Sequence, residues 1–164
     1  MMLMLVTRED ERLPFVVRAA VAGGVNVVQI RGGEAEVIRR AAGHARVLIN
    51  GIDHLPENVP GRAIGRSVHS VDAALRAEAD GCEYLVAGSV FPTASHPGGP
   101  VGGVQLVRDI AAVVHIPVIA IGGITATNAR QCIDAGARGV AVISAIFDAE
   151  DPRKAAQDLW RAIA

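Results

Sequence analysis

Seven short apolar runs alternate with helix-like stretches along this chain, and that alternation constrains its fold more than any other feature. The strand-like runs lie at 3–7, 25–30, 46–50, 63–69, 84–89, 117–121 and 139–143, and the helix-like stretches at about 14–23, 34–44, 71–80, 104–114, 126–135 and 152–163. Strand, helix and strand in repeated order imply parallel strands joined by right-handed crossovers. Hydrophobic residues make up 51% of the chain and aromatic residues only 3%, so the core must be built from Val, Ile, Leu and Ala. That is the palette of parallel strands buried on both faces. The expected fold is α/β, a parallel (β/α) barrel of the TIM type, as a single domain over residues 1–164. Ser70 is expected to cap the helix that follows it, and Asp151-Pro152 to open the last one.

One stretch breaks the pattern. Between 51 and 62 the chain holds Pro56, Pro60 and Gly61 and has no helical period. A parallel crossover normally needs a helix and a dozen or more residues. The barrel is therefore expected to be shortened by about one to two βα units after the third strand. Apolar surface left uncovered there would mark an interface, so a homo-oligomer, most simply a dimer, is expected.

Composition excludes several function classes. The formal net charge is −1 and no block of basic residues exists, which argues against a nucleic-acid partner. Cys82 and Cys132 stand far apart with no metal-ligand spacing, as in a reduced cytoplasmic protein. The apolar start at 1–6 is too short for a signal peptide, and no run reaches membrane-spanning length.

The chemistry gathers at the ends of the strand-like runs, where α/β barrels place their functional groups. The run Ile64-Gly65-Arg66-Ser67-Val68-His69 ends in a histidine, the side chain best suited to taking and returning a proton near neutral pH. The plainer reading makes His69 only a cap for the next helix. Gly122 and Gly123 follow the 117–121 run, and Ser144 and Ala145 follow the 139–143 run. Small residues after the last two strands let backbone N–H groups approach a phosphate, although the glycines also suit a tight turn. Gln29 and Arg31 share one side of their strand by its period of two. Arg31 is suited either to a bidentate grip on a carboxylate or to a surface ion pair. Asn50 suits a turn or a ligand contact equally. Ser89 is a further candidate binding residue in the Gly/Pro-rich stretch 88–100, which reads as a lid or as an ordinary surface loop. His96 in that stretch reads as solvated. His44, His54 and His115 lack Cys or carboxylate partners at ligand spacing and read as structural, so no metal site is expected.

The segments IGRSVHS, AGSVFPTASHPGGPVGG, IPVIAIGGIT and GVAVISAIF, with VNVVQIR and VLING before them, resemble the thiamine phosphate synthase/TenI superfamily of barrels. Within it, synthases couple a pyrimidine diphosphate to a thiazole phosphate. They carry a lysine where this chain has Gly33, an aspartate where it has Gly51, a second acidic ligand in the segment expected to be missing, and a loop lysine where it has His96. Diphosphate departure needs Mg²⁺ and cations to neutralise charge. Asn50-Gly51 and GRSVHS are similar instead to the TenI-like thiazole tautomerases. That resemblance implies an isomerase of thiamine biosynthesis in which His69 aromatises a carboxythiazole phosphate by moving a proton, with no cofactor or metal. Gly122, Gly123, Ser144 and Ala145 would anchor the phosphate of this small thiazole ligand, and Arg31 and Gln29 its carboxylate. The alternatives are a thiamine phosphate synthase and a non-catalytic regulator that binds a thiazole or phosphate.

Overall fold

A computed structural model describes residues 1–94 and 97–164; the loop position of His96 lies outside the described residues. The elements are β1 (Met2–Val6), α1 (Leu13–Ala22), β2 (Val27–Ile30), α2 (Ala35–Ala42), β3 (Arg46–Ile49), β4 (His54–Leu55), β5 (Gly65–Val68), α3 (Val71–Ala79), β6 (Tyr84–Ala87), α4 (Gly103–Ala111), β7 (Val118–Ile121), α5 (Ala129–Asp134), β8 (Gly139–Val142), α6 (Ser144–Phe147) and α7 (Pro152–Ile163). The strands form one parallel sheet in the order β3-β2-β1-β8-β7-β6-β5-β4. Its two ends meet at a single parallel bridge between Asn50 and His54. The sheet is thus a nearly closed TIM-like barrel.

Strand alternation sorts the core into two layers. Leu3 and Leu5 of β1 face the helices, while Met4 and Val6 face the barrel axis. The axis is filled by Met4, Val6, Val27, Leu48, Tyr84, Val86, Ile119 and Ala141. Outside, α7 buries Ala156, Leu159 and Ile163 along one stripe, the spacing of an amphipathic helix. Ser70 Oγ accepts the Ala73 N–H, and the Asp151 carboxylate accepts the Lys154 N–H ahead of Pro152, as expected of both caps. No helix among the described residues is long and apolar enough to cross a membrane.

The expected shortening takes a different form from missing βα units. All eight strands are present, and only the helices after β3 and β4 are lost. One turn joins β3 to β4: the Ile52 and Asp53 N–H groups donate to the Ile49 carbonyl, and the Asp53 carboxylate accepts the Ile49 N–H at 2.8 Å. A two-residue β4 is too short to show any period in sequence, which is why seven runs were legible and the eighth was not.

Residues 56–64, between β4 and β5, have no helix either, and Arg66 takes over the task of fixing them. Gly65 faces inward against the Tyr84 ring, so Arg66 points outward, where only 6% of it is exposed. Its Nη1 donates to the carbonyls of Pro56 at 3.2 Å, Glu57 at 3.4 Å and Val59 at 2.6 Å, and its Nη2 donates to the Gly61 carbonyl at 2.6 Å. Hydrogen bonds from a charged donor contribute about 1.5–3 kcal/mol each at best. Arg66→Leu is therefore expected to lower the unfolding free energy by about 3 kcal/mol, and Arg66→Lys by less. Urea midpoints will check this; a leucine effect below about 0.5 kcal/mol would show that other contacts hold the loop.

Candidate active site

The carboxyl ends of the strands surround a cavity of about 300 Å³, and residues from the seven connections after β2 to β8 reach it. Gln29, at the end of β2, is buried and donates through Nε2 to Asn50 Oδ1 at 3.2 Å. This bond joins the ends of β2 and β3 across the cavity floor. Arg31, two residues on, lines the cavity from an exposed position. Its backbone is set by Thr7 at the end of β1, whose Oγ accepts the Arg31 and Gly32 N–H groups and donates to the Gly32 carbonyl at 2.7 Å. The surface ion pair considered for Arg31 is not formed among the described residues.

The opposite wall comes from β6, β7 and β8. Gly122 and Gly123 have φ of 103° and 62°, in the left-handed region. A Cβ on Gly122 would strike Ser89, and one on Gly123 would strike Phe91 and the Pro92 carbonyl. The tight turn and the open cavity wall are therefore the same feature. The start of the stretch after β6 is anchored to β7: the Val90 N–H donates to the Ile121 carbonyl and the Phe91 N–H to the Gly122 carbonyl. Ser89 lines the cavity from this anchored segment, as does Ser144 at the start of α6. Ala145 lies behind Ser144 in the first turn of α6 and does not line the cavity. The N–H groups of Gly122, Gly123, Ser144 and Ala145 take no acceptor among the described hydrogen bonds. After Gly123 the chain needs another turn before α5, and Asn128 holds it by accepting the Thr125 N–H and donating to the Gly123 carbonyl.

His69 follows β5 directly and lines the cavity. Capping is left to Ser70, so the plainer reading of His69 as a cap falls. Its Nδ1 lies 2.9 Å from Glu57 Oε2, and the same oxygen accepts the His69 backbone N–H at 2.6 Å.

His54, expected to be structural, is buried and also lines the cavity. Its Nδ1 is 3.0 Å from the Tyr84 hydroxyl and its Nε2 2.8 Å from Ser67 Oγ. Burial, helped by the nearby Arg66 charge, pushes its pKa down to about 4, so the ring is neutral at pH 7. Burial likewise pushes the Tyr84 hydroxyl upward, so it stays protonated. The relay ends on Ser67, which faces the cavity beside His69. Ser67 was legible from its alternation with His69. His54 and Glu57 were not, because both lie in the segment that showed no pattern.

A profile of the TMP-TENI family, thiamine monophosphate synthase, matches residues 52–146, more than half of the chain. The thiamine-phosphate synthase of Chlorobium luteolum is 38% identical over 193 aligned positions, covering 96% of this chain and 90% of the relative. The chain belongs to the thiamine monophosphate synthase family. That alignment is longer than the 164-residue chain, so the relative carries extra residues inside it. The thiamine-phosphate synthase of Pyrococcus furiosus is 46% identical over 112 residues, 68% of this chain but only about half, 54%, of the relative's length. Among solved structures, a thiamine phosphate pyrophosphorylase from Pyrococcus furiosus superposes with a TM-score of 0.83 at 32% identity, covering 99% of this chain and 95% of that one. A 3-hexulose-6-phosphate synthase at 16% identity and TM-score 0.77 shares the fold alone. The relatives are named as synthases, so the comparisons support the family without supporting its TenI-like branch.

The residues present do not fit a divalent cation of the kind synthases use. Gly51 offers no side chain, and no Asp or Glu among the described residues lines the cavity. The segment after β4, expected to be missing, is present, but the carboxylate of its Glu57 is engaged with His69. No group of three or more His, Cys, Asp or Glu stands at ligating distance among the described residues.

The neutral His54 makes a prediction about stability. Its pKa falls from 6.5 unfolded to about 4 folded, so between those values the unfolded chain binds the extra proton. Stability is full above pH 6.5, declines as pH drops toward 4 by on the order of 3 kcal/mol, and levels off below. His54→Asn should remove this part of the decline, measured by urea unfolding across the window. Equal slopes in the two proteins would show that His54 is not held neutral.

Proposed function

We propose that this chain binds a phosphorylated thiazole of thiamine biosynthesis and isomerises it by proton transfer at His69. The observation that carries this reading is a histidine at the mouth of the barrel in a cavity whose lining, among the described residues, has one permanently charged side chain, Arg31, and no carboxylate. Such a lining suits moving a proton within a bound anion better than expelling a diphosphate, which calls for concentrated positive charge. In the proposed reaction the phosphate sits on the N–H groups of Gly122, Gly123, Ser144 and Ala145. Arg31 and Gln29 hold the ligand's carboxylate. His69 takes a proton from one ligand atom and returns it to another, so the ring becomes aromatic with no net change in atoms or charge. Fixed geometry and exclusion of water do the rest.

A second reading has a specific observation in its favour. The named relatives are thiamine-phosphate synthases, one of them 38% identical across 96% of this chain. On that ground the coupling of a pyrimidine diphosphate to a thiazole phosphate is the better supported by kinship, and proton transfer the better supported by the residues in the cavity.

The two are separated by supplying each substrate set. With carboxythiazole phosphate alone, turnover is expected that survives EDTA, and His69→Asn should lower it by roughly 10²–10⁴-fold with little loss of product binding. Formation of thiamine phosphate that requires Mg²⁺ would establish the second reading. Binding without either turnover would make the chain a regulator. Self-association is proposed too, because Ile52 and Val59 are 65% and 40% exposed in the two connections that lack helices. Sedimentation at micromolar concentration should show a dimer, and a strict monomer would contradict it.

A further inference from the structure

We propose that Glu57 is the positioning residue of His69, fixing its imidazole as the Nδ1–H tautomer and leaving Nε2 as the nitrogen that exchanges protons with the ligand. The assignment rests on the proton-transfer reading for its catalytic meaning and on geometry for the tautomer. Glu57 Oε2 stands 2.9 Å from Nδ1. An ionised carboxylate can only accept, so the hydrogen in that bond belongs to Nδ1. The neutral ring then carries its lone pair on Nε2, for which no partner is found among the described residues.

Two features set this pair apart from an ordinary surface ion pair, which contributes little. First, the same oxygen also accepts the His69 backbone N–H at 2.6 Å, so one carboxylate clamps the residue at its main chain and its ring. The Glu57 side chain is only 22% exposed, against 61% for His69. Second, both partners are placed by one strand. His69 follows β5 directly, and Arg66 of β5 holds the carbonyls of Pro56, Glu57 and Val59 on either side of the carboxylate. The loss of a helix after β4 is what brings a glutamate over the strand end. Without that contact a free imidazole favours the Nε2–H form, which presents a donor where a base is needed.

Side-chain ¹⁵N NMR of His69 at a pH where the ring is neutral tests the tautomer directly. The wild-type protein is expected to show Nδ1–H, and Glu57→Ala to shift toward Nε2–H. In turnover of carboxythiazole phosphate, Glu57→Ala should lower kcat by about 10–100-fold, the usual effect of losing the partner that orients a functional imidazole, with KM within about two-fold. Glu57→Asp should recover part of the loss. Glu57→Gln, which keeps the shape should the alanine variant fold poorly, loses the charge but keeps an acceptor oxygen, so its kcat should fall between those of wild type and Glu57→Ala. A wild-type His69 found as Nε2–H, or an unchanged kcat in the alanine variant, would overturn the assignment. If the wild-type protein turns nothing over, the proton-transfer reading falls, and the tautomers of wild type and Glu57→Ala still decide the placement of Glu57.

Discussion

A single guanidinium holds together the part of this barrel that has lost its helices. Elsewhere each strand is backed by a helix whose apolar stripe closes the outer layer. On the β3–β5 side that backing is absent, and the polypeptide between β4 and β5 carries no amphipathic stripe: Val59 is left exposed, and only Ile64 packs on the axis layer. Arg66 substitutes hydrogen bonds for hydrophobic area by donating to carbonyls of Pro56, Glu57, Val59 and Gly61. The solution has an electrostatic cost: a buried charge whose Nε finds no partner among the described residues. It has two consequences inside the barrel as well. The charge reinforces the neutrality of His54, and the loop it pins delivers a carboxylate to His69.

The two histidines illustrate how environment assigns roles to one side chain. His54 is 2% exposed, is bonded through both ring nitrogens to Tyr84 and Ser67, and is kept neutral by burial. It supports the cavity floor as a fixed dipole. His69 sits at the rim against a carboxylate, with one nitrogen engaged and the other without a partner among the described residues. Only the second arrangement suits repeated gain and loss of a proton.

The repeating βα pattern was legible in sequence because most units obey a local rule: a short apolar run, then an amphipathic stretch, with Ser70 and Asp151 adding recognisable caps to two of the helices. Seven strands and six of the helices follow from it, and eight of the nine candidate site residues, His69 and all the binding candidates but Ala145, line one cavity because strand ends converge in any parallel barrel. What escaped was non-local. β4 is two residues long and gains its identity from pairing with Gly65 and Arg66, not from its own composition. His54 was read as structural because no partner stood near it in sequence, whereas Ser67 and Tyr84 lie 13 and 30 positions away. Glu57 was passed over because a Pro-rich loop has no period to place it. The α6 turn is a single four-residue helix, too short to announce itself.

On the proposed reading, the N–H groups of Gly122, Gly123, Ser144 and Ala145 and the ring of His69 serve one bound molecule. A crystal structure with carboxythiazole phosphate soaked in tests this most directly. The phosphate is expected on those four N–H groups, the carboxylate at Arg31 and Gln29, and the thiazole ring within hydrogen-bond reach of His69 Nε2. A ligand seated with its ring away from His69, or with its phosphate at Arg31 and nothing on the β7 and β8 turns, would contradict it.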